Sequence, residues 1–148
     1  MRGKRIENQM RAVFPSRSVN EGLARSLVAA FVALADPTVE ELCDIKTAVS
    51  EAVTNAIVHA YPDTLGKVSV KLRIKEERVL EIVVKDWGVG IADVDQARTP
   101  LFTTGSEERS GMGFTIMESF MDTLKVRSAP GRGTTVTMAR RIARRAGR

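Results

Sequence analysis

The feature that most constrains this chain is a single change in the spacing of its apolar residues. From Val19 to about Ala60 they recur at helical intervals, and from Val68 onward they alternate with polar ones. Ser18-Val19-Asn20-Glu21 has the form of a capping box, in which a hydroxyl and a glutamate satisfy the first free amides of a helix. It predicts a helix with an apolar stripe of Val19, Leu23, Leu27, Phe31 and Leu34. Asp36-Pro37 stops that helix, and Thr38-Val39-Glu40-Glu41 is a second box. The helix it opens runs to about Ala60 and buries Leu42, Ile45, Val49, Val53 and Ile57.

After Tyr61-Pro62-Asp63 and Gly66 the period becomes two: Val68, Val70, Leu72 and Ile74 alternate with Ser69, Lys71, Arg73 and Lys75. Leu80 to Lys85 pairs with this strand across a turn at Glu76-Glu77-Arg78. Leu124 to Arg127 and Thr134 to Met138 add two strands, and Arg11 to Pro15 is a short opening strand. Gly88 to Gly111 has no clear period and reads as a functional lid, followed by a short helix from about Gly113 to Met121. Strands with one dry face imply an α/β fold of the α+β two-layer sandwich type: a mixed, mostly antiparallel sheet with helices on one face. At 148 residues the chain is read as one domain, 1–148, with basic N- and C-terminal tails.

The formal charge of +5 raises the possibility of nucleic-acid binding, but its location argues otherwise. Residues 1–11 and 140–148 hold nine Lys/Arg against Glu7, which leaves the residues between them net acidic. No direct nucleic-acid partner is expected. Hydrophobic content of 43% with 28% charged residues excludes a disordered chain. The longest apolar run, Leu27 to Ala35, is too short to cross a bilayer, and a lone Cys43 excludes an internal disulfide. No membrane partner and a cytoplasmic setting are expected.

Three clusters carry chemistry. Glu51 and Asn55 lie four apart on the second helix, so their side chains project from one face. Such a pair is ordinarily a solvated face, but a carboxylate can accept a proton and a carboxamide oxygen is a hard ligand for Mg²⁺. Asp86-Trp87-Gly88-Val89-Gly90 leaves a strand for the loop; its glycines permit close approach to a ligand, and Asp86 can accept from an exocyclic amine. Arg109-Ser110-Gly111-Met112-Gly113-Phe114 puts small residues and amides just ahead of a helix, where anions are favoured and Arg109 adds a cation.

In this order, and followed by Gly133-Thr134-Thr135, the clusters resemble the GHKL ATP-binding superfamily, whose architecture is the Bergerat-type fold. Residues 50–59, the segment Pro100-Leu101-Phe102-Thr103-Thr104 and residues 110–118 resemble the family of sporulation anti-sigma F factors, protein serine kinases with the cofactors ATP and Mg²⁺. The resemblance implies Glu51 as catalytic base, Asn55 as Mg²⁺ ligand and Asp86 on the adenine amine. It implies Gly88, Gly90 and Thr135 at the nucleotide and Gly111 and Gly113 at the phosphates. Thr103, Thr104 and Arg109 become lid contacts, Arg109 at the γ-phosphate, and Arg25 the partner contact. The implied partners are a sigma factor and an anti-anti-sigma protein that is phosphorylated on serine, with the chain itself a homodimer.

Departures from the family pattern are Ala60 where glycine is frequent, a lid about one residue shorter, and the arginine-rich tail. A histidine-kinase catalytic fragment needs a separate phosphoacceptor histidine, and His59 lies inside the second helix. A stress sigma factor as the partner, or a nucleotide-gated binding module without transfer, are the remaining alternatives.

Overall fold

A computed structural model of the chain describes residues 3–99 and 108–143. Five strands form one sheet: β1 Ile6–Pro15, β2 Lys67–Lys75, β3 Val79–Asp86, β4 Thr123–Ser128 and β5 Thr134–Arg141. Their spatial order is β1-β2-β3-β5-β4, and every pairing is antiparallel. The helices are α1 Asn20–Ala33, α2 Val39–Thr54, α3 Val94–Arg98 and α4 Glu108–Phe120. The alternation read in β2 and β3 is reproduced: Val68, Val70, Leu72, Leu80, Ile82 and Val84 are buried on the face that the helices cover. The outcome is the two-layer α+β architecture expected from the pattern.

The second capping box forms as read. Thr38 Oγ1 accepts from the Glu41 amide at 3.0 Å, while Glu41 Oε1 accepts from the Thr38 amide at 2.8 Å. The same glutamate reaches further, its Oε2 accepting from the Ala143 amide at 2.8 Å, so the start of α2 also fixes the chain after β5. These hydrogen bonds hold the Glu41 carboxyl below its ordinary range against the opposing effect of desolvation, which is the largest single influence on it. Ile45, Val49, Val53 and Ile57 are buried as the stripe on α2 requires, whereas Leu42 is half-buried against the same core.

The first box does not form. The N-cap of α1 is Val19, in helical conformation and without a side-chain cap, because Glu21 is engaged elsewhere: its Oε1 accepts from Thr54 Oγ1 on α2 at 2.7 Å. The apolar stripe on α1 is likewise rotated from the one expected. Ala24, Val28, Phe31 and Val32 are buried, whereas Val19 and Leu34 are 75% and 70% exposed. Small Ala24 lets α1 approach its neighbours, which a reading weighted towards large side chains overlooks. Between β2 and β3, Glu77 and Arg78 adopt left-handed φ values of 64° and 62°. Arg78 holds this turn in place by donating to the carbonyls of Ala35, Ile142 and Ala143.

The two boxes give opposite expectations in one experiment. Thr38→Ala lowers the unfolding free energy by about 1 kcal/mol, whereas Ser18→Ala changes it by less than about 0.5 kcal/mol, as read by urea denaturation.

Candidate nucleotide site

Helix α2 does not end as an ordinary helix. After Thr54 its last turn, Asn55–His59, is π-wound, and the Ala60 amide donates to the Asn55 carbonyl at 3.2 Å. A π turn shifts the side chains that follow it around the helix and is frequent at functional sites. Here Asn55, Ala56, His59 and Ala60 all line a cavity of about 470 Å³, of the size that holds a small-molecule ligand. Val84 and Val136 line it from the sheet, Phe114 from α4, and Gln96 and Ala97 from α3.

Asp86 stands at the end of β3 in the same wall, 5% exposed. Its Oδ1 accepts from the amides of Gly88 at 3.0 Å and Thr134 at 3.2 Å. Burial pushes the carboxyl above its ordinary range, and those two amides offset part of the shift. The glycines permit the geometry. A Cβ on Gly88 would lie 2.1 Å from the Ala60 carbonyl oxygen, and one on Gly133, at φ +80°, would lie 2.2 Å from the Asp86 carbonyl oxygen. Two backbones therefore converge on one carboxylate, the β3 loop and the start of β5, and the residue that ends the π turn packs against the first of them.

The β3 loop is fixed from both sides. The Val89 amide donates to the Ala60 carbonyl at 2.9 Å, and the Val89 carbonyl accepts from the Gly131 amide at 2.7 Å. Gly90, at φ +77°, lies against the Ala129 carbonyl, and the Ile91 amide donates to Ser128 Oγ at 2.7 Å. Ala60 replaces the frequent glycine without strain, since its φ is −71°.

Glu51 and Asn55 meet α4 at Gly113, where a Cβ would lie 3.4 Å from Asn55 Nδ2 and 3.5 Å from Glu51 Oε2. This corrects the reading of the third cluster. Helix α4 begins at Glu108, so Gly111 and Gly113 lie within it and not in a loop ahead of it. The free amides of the helix start belong to its first turn, and Gly113 is the point at which α4 passes close to α2. Arg109 lies in the first turn of α4, with its side chain outside the described structure; Thr103 and Thr104 also lie outside the described residues.

One further residue differs from expectation. Thr135 sits one position along β5 from the cavity; its neighbour Thr134 lines the cavity and supplies the amide to Asp86. A strand alternates faces, so a shift of one residue puts Thr135 on the far side of the sheet, beside Lys85 and Arg127. Arg25, the expected partner contact, is half-buried on α1, and its Nη1 donates to Ser50 Oγ at 3.0 Å. The reading also missed α3 and with it Gln96 and Ala97. The signal was Asp93, which caps α3 by accepting from the Gln96 amide at 3.0 Å. Among the described residues there is no cluster of three or more His, Cys, Asp or Glu suited to a metal ion, and no helix is long and apolar enough to cross a membrane.

The chain is similar to known proteins in both sequence and fold. The family described as histidine kinase-like ATPase domain matches residues 14–140. The anti-sigma F factor of Caldanaerobacter subterraneus subsp. tengcongensis is 54% identical over 138 residues, 93% of this chain and 96% of that one. The anti-sigma F factor of Geobacillus thermodenitrificans is 55% identical over 141 residues, 94% of this chain and 96% of that one. Among solved structures, the RsbU and RsbW domains of a Mycobacterium tuberculosis protein superpose with a TM-score of 0.68 at 19% identity, over 94% of this chain and 33% of that one. A histidine kinase domain from the blue-light activated kinase of Erythrobacter litoralis gives 0.56 at 22% identity, over 82% and 65%. The structural likenesses show the fold; the family match and the sequence relatives show that the chain belongs to the histidine kinase-like ATPases and, among them, to the anti-sigma F factor family.

Proposed function

We propose that this chain is an ATP-dependent protein serine kinase that binds a sporulation sigma factor and phosphorylates a serine of an anti-anti-sigma protein, releasing ADP. The observation that carries the reading is one cavity lined by two chemically different groups: the buried acceptor Asp86, and the carboxamide Asn55 with Glu51 beside it at the Gly113 crossing. A purine amine suits Asp86, which makes that the proposed adenine end, and a hydrated metal–phosphate group suits Asn55, the proposed phosphate end. Arg25 on α1 is the proposed contact for both protein partners, and a homodimer in the cytoplasm belongs to the same reading.

Mg²⁺ fits the donor set. This ion is usually held by one or two protein oxygens with water and substrate phosphates completing the shell, so Asn55 Oδ1 suffices where a caged ion would need more ligands. When bound, it would neutralise charge on the phosphates. The chain's own residues do the rest. Glu51 takes the proton of the substrate serine as its Oγ bonds to the γ-phosphorus and the bridging bond to ADP breaks. Arg109, Thr103 and Thr104 are proposed to close over the phosphates, with Arg109 at the γ-phosphate, and the α4 first-turn amides, Gly111 included, favour the same negative charge. Gly88 and Gly90 let the loop lie against the nucleotide, and Thr134 takes the place at the adenine first read as Thr135.

Glu51→Gln abolishes transfer to the partner serine while Mg·ATP affinity stays within about twofold, because neither Asn55 nor Asp86 is touched. Mass spectrometry of the substrate and calorimetry of the variant read the two halves. If ATP promotes capture of the sigma factor while the parent transfers no phosphate, the nucleotide-gated binding module is the correct account.

Asp86→Asn separates binding from stability. Asn keeps the acceptor that both amides use but puts an NH₂ donor where the other carboxylate oxygen would accept from the amine, so ATP affinity falls about tenfold or more in calorimetry. Stability moves the other way. An acid whose pKa is raised on folding binds its proton more tightly in the native state, so its contribution is most favourable at low pH and is lost as pH rises through the folded value. The variant therefore melts at or above the parent temperature at pH 7, and the difference shrinks as pH falls through the carboxylate range.

A further inference from the structure

Consecutive residues on α2 face two different neighbours. Glu51 and Asn55 meet α4 at Gly113, while Ser50 and Thr54, about 100° around the helix, face α1. Each residue of the α1-facing pair is the immediate chain neighbour of one of the site pair. Each is also held by a charged side chain from α1: Ser50 Oγ accepts from Arg25 Nη1 at 3.0 Å, and Thr54 Oγ1 donates to Glu21 Oε1 at 2.7 Å. Thr54 is 7% exposed, and both bonds are partly buried, where hydrogen bonds to charged groups are worth more than at the surface. Glu21 gives up the cap of its own helix to make its bond.

The segment these bonds grip lies where α2 passes into its π turn. The π winding begins only after Asn55, whose own amide still donates to the Glu51 and Ala52 carbonyls, so the rotation of α2 as a whole carries Asn55 and Glu51 with it. We infer that Glu21 and Arg25 are positioning residues: through Thr54 and Ser50 they set the rotation of α2 that aims Asn55 and Glu51 at the phosphate end of the cavity. The adenine end is independent of this brace, since Asp86 is carried by β3 and held by the Gly88 and Thr134 amides. The inference rests on the assignment of Asn55 to Mg²⁺ made under the proposed function.

The independence of the two ends gives the test. ATP is titrated calorimetrically into the full chain with and without Mg²⁺, using the parent, Ser50→Ala and Thr54→Val. Ser50→Thr and Thr54→Ser serve as variants that keep the hydroxyl, and thermal melting confirms that each is folded. Loss of either hydroxyl lowers ATP affinity about three- to tenfold with Mg²⁺ present and leaves it unchanged without the ion, while the hydroxyl-keeping variants match the parent. Equal loss in both conditions, or no loss in either, overturns the brace. A parent whose ATP affinity ignores Mg²⁺ overturns the Asn55 assignment and this inference with it, so the two failures are distinguishable.

Discussion

The buried carboxylate of Asp86 is the constraint around which the rest of the site is arranged. A charge at 5% exposure is costly unless hydrogen-bonded, and here the donors are backbone amides from two separate elements. To deliver them, the chain must pass within contact distance of itself at Gly88 and Gly133, where any side chain would collide with a carbonyl oxygen. The need for those glycines follows from this convergence, and the pairing of β3 with β5 brings the Thr134 amide beside Asp86. Burial still pushes the carboxyl above its ordinary range, with the two amides offsetting part of the shift.

Helix α2 is the second organising element, and it works by dividing its faces. Ile45, Val49 and Val53 hold it to the core, Ser50 and Thr54 face α1, and Glu51 and Asn55 meet α4 at Gly113, with Asn55 lining the cavity. A helix with one face free would leave the last pair loosely aimed. Under the proposed function Arg25 also meets the protein partners, so a partner that engages its guanidinium acts on the bond to Ser50. Linkage then requires that nucleotide and partner affect each other's binding by the same factor.

Much of this was legible in the sequence where the cause is local. The Thr38 box, the core stripe of α2 and the alternation of β2 and β3 each depend on residues within a turn or two, and each forms as read. What failed depends on contacts distant in sequence. The Ser18 box is lost because Glu21 finds Thr54 thirty-three positions away, and the α1 face is set by close packing at Ala24, not by the largest side chains. Asp86, Gly88 and Asn55 could be singled out by type and spacing, but the choice between Thr134 and Thr135 needed the strand register. The start of α4 was placed late because glycines at 111 and 113 read as a loop; Gly113 is tolerated in the helix because it allows the crossing with α2.

The central claim is that Asp86 reads a purine amine in this cavity, and the most direct measurement is calorimetric titration of the chain with Mg·ATP and Mg·GTP side by side. The two ligands share their phosphates and differ at the purine edge, where guanine presents an oxygen acceptor in place of the amine. A buried carboxylate opposite that oxygen has no proton to receive, so ATP is predicted to bind about tenfold tighter or more. Equal affinity for the two nucleotides would contradict the account, because the cavity would then hold phosphates without reading the base.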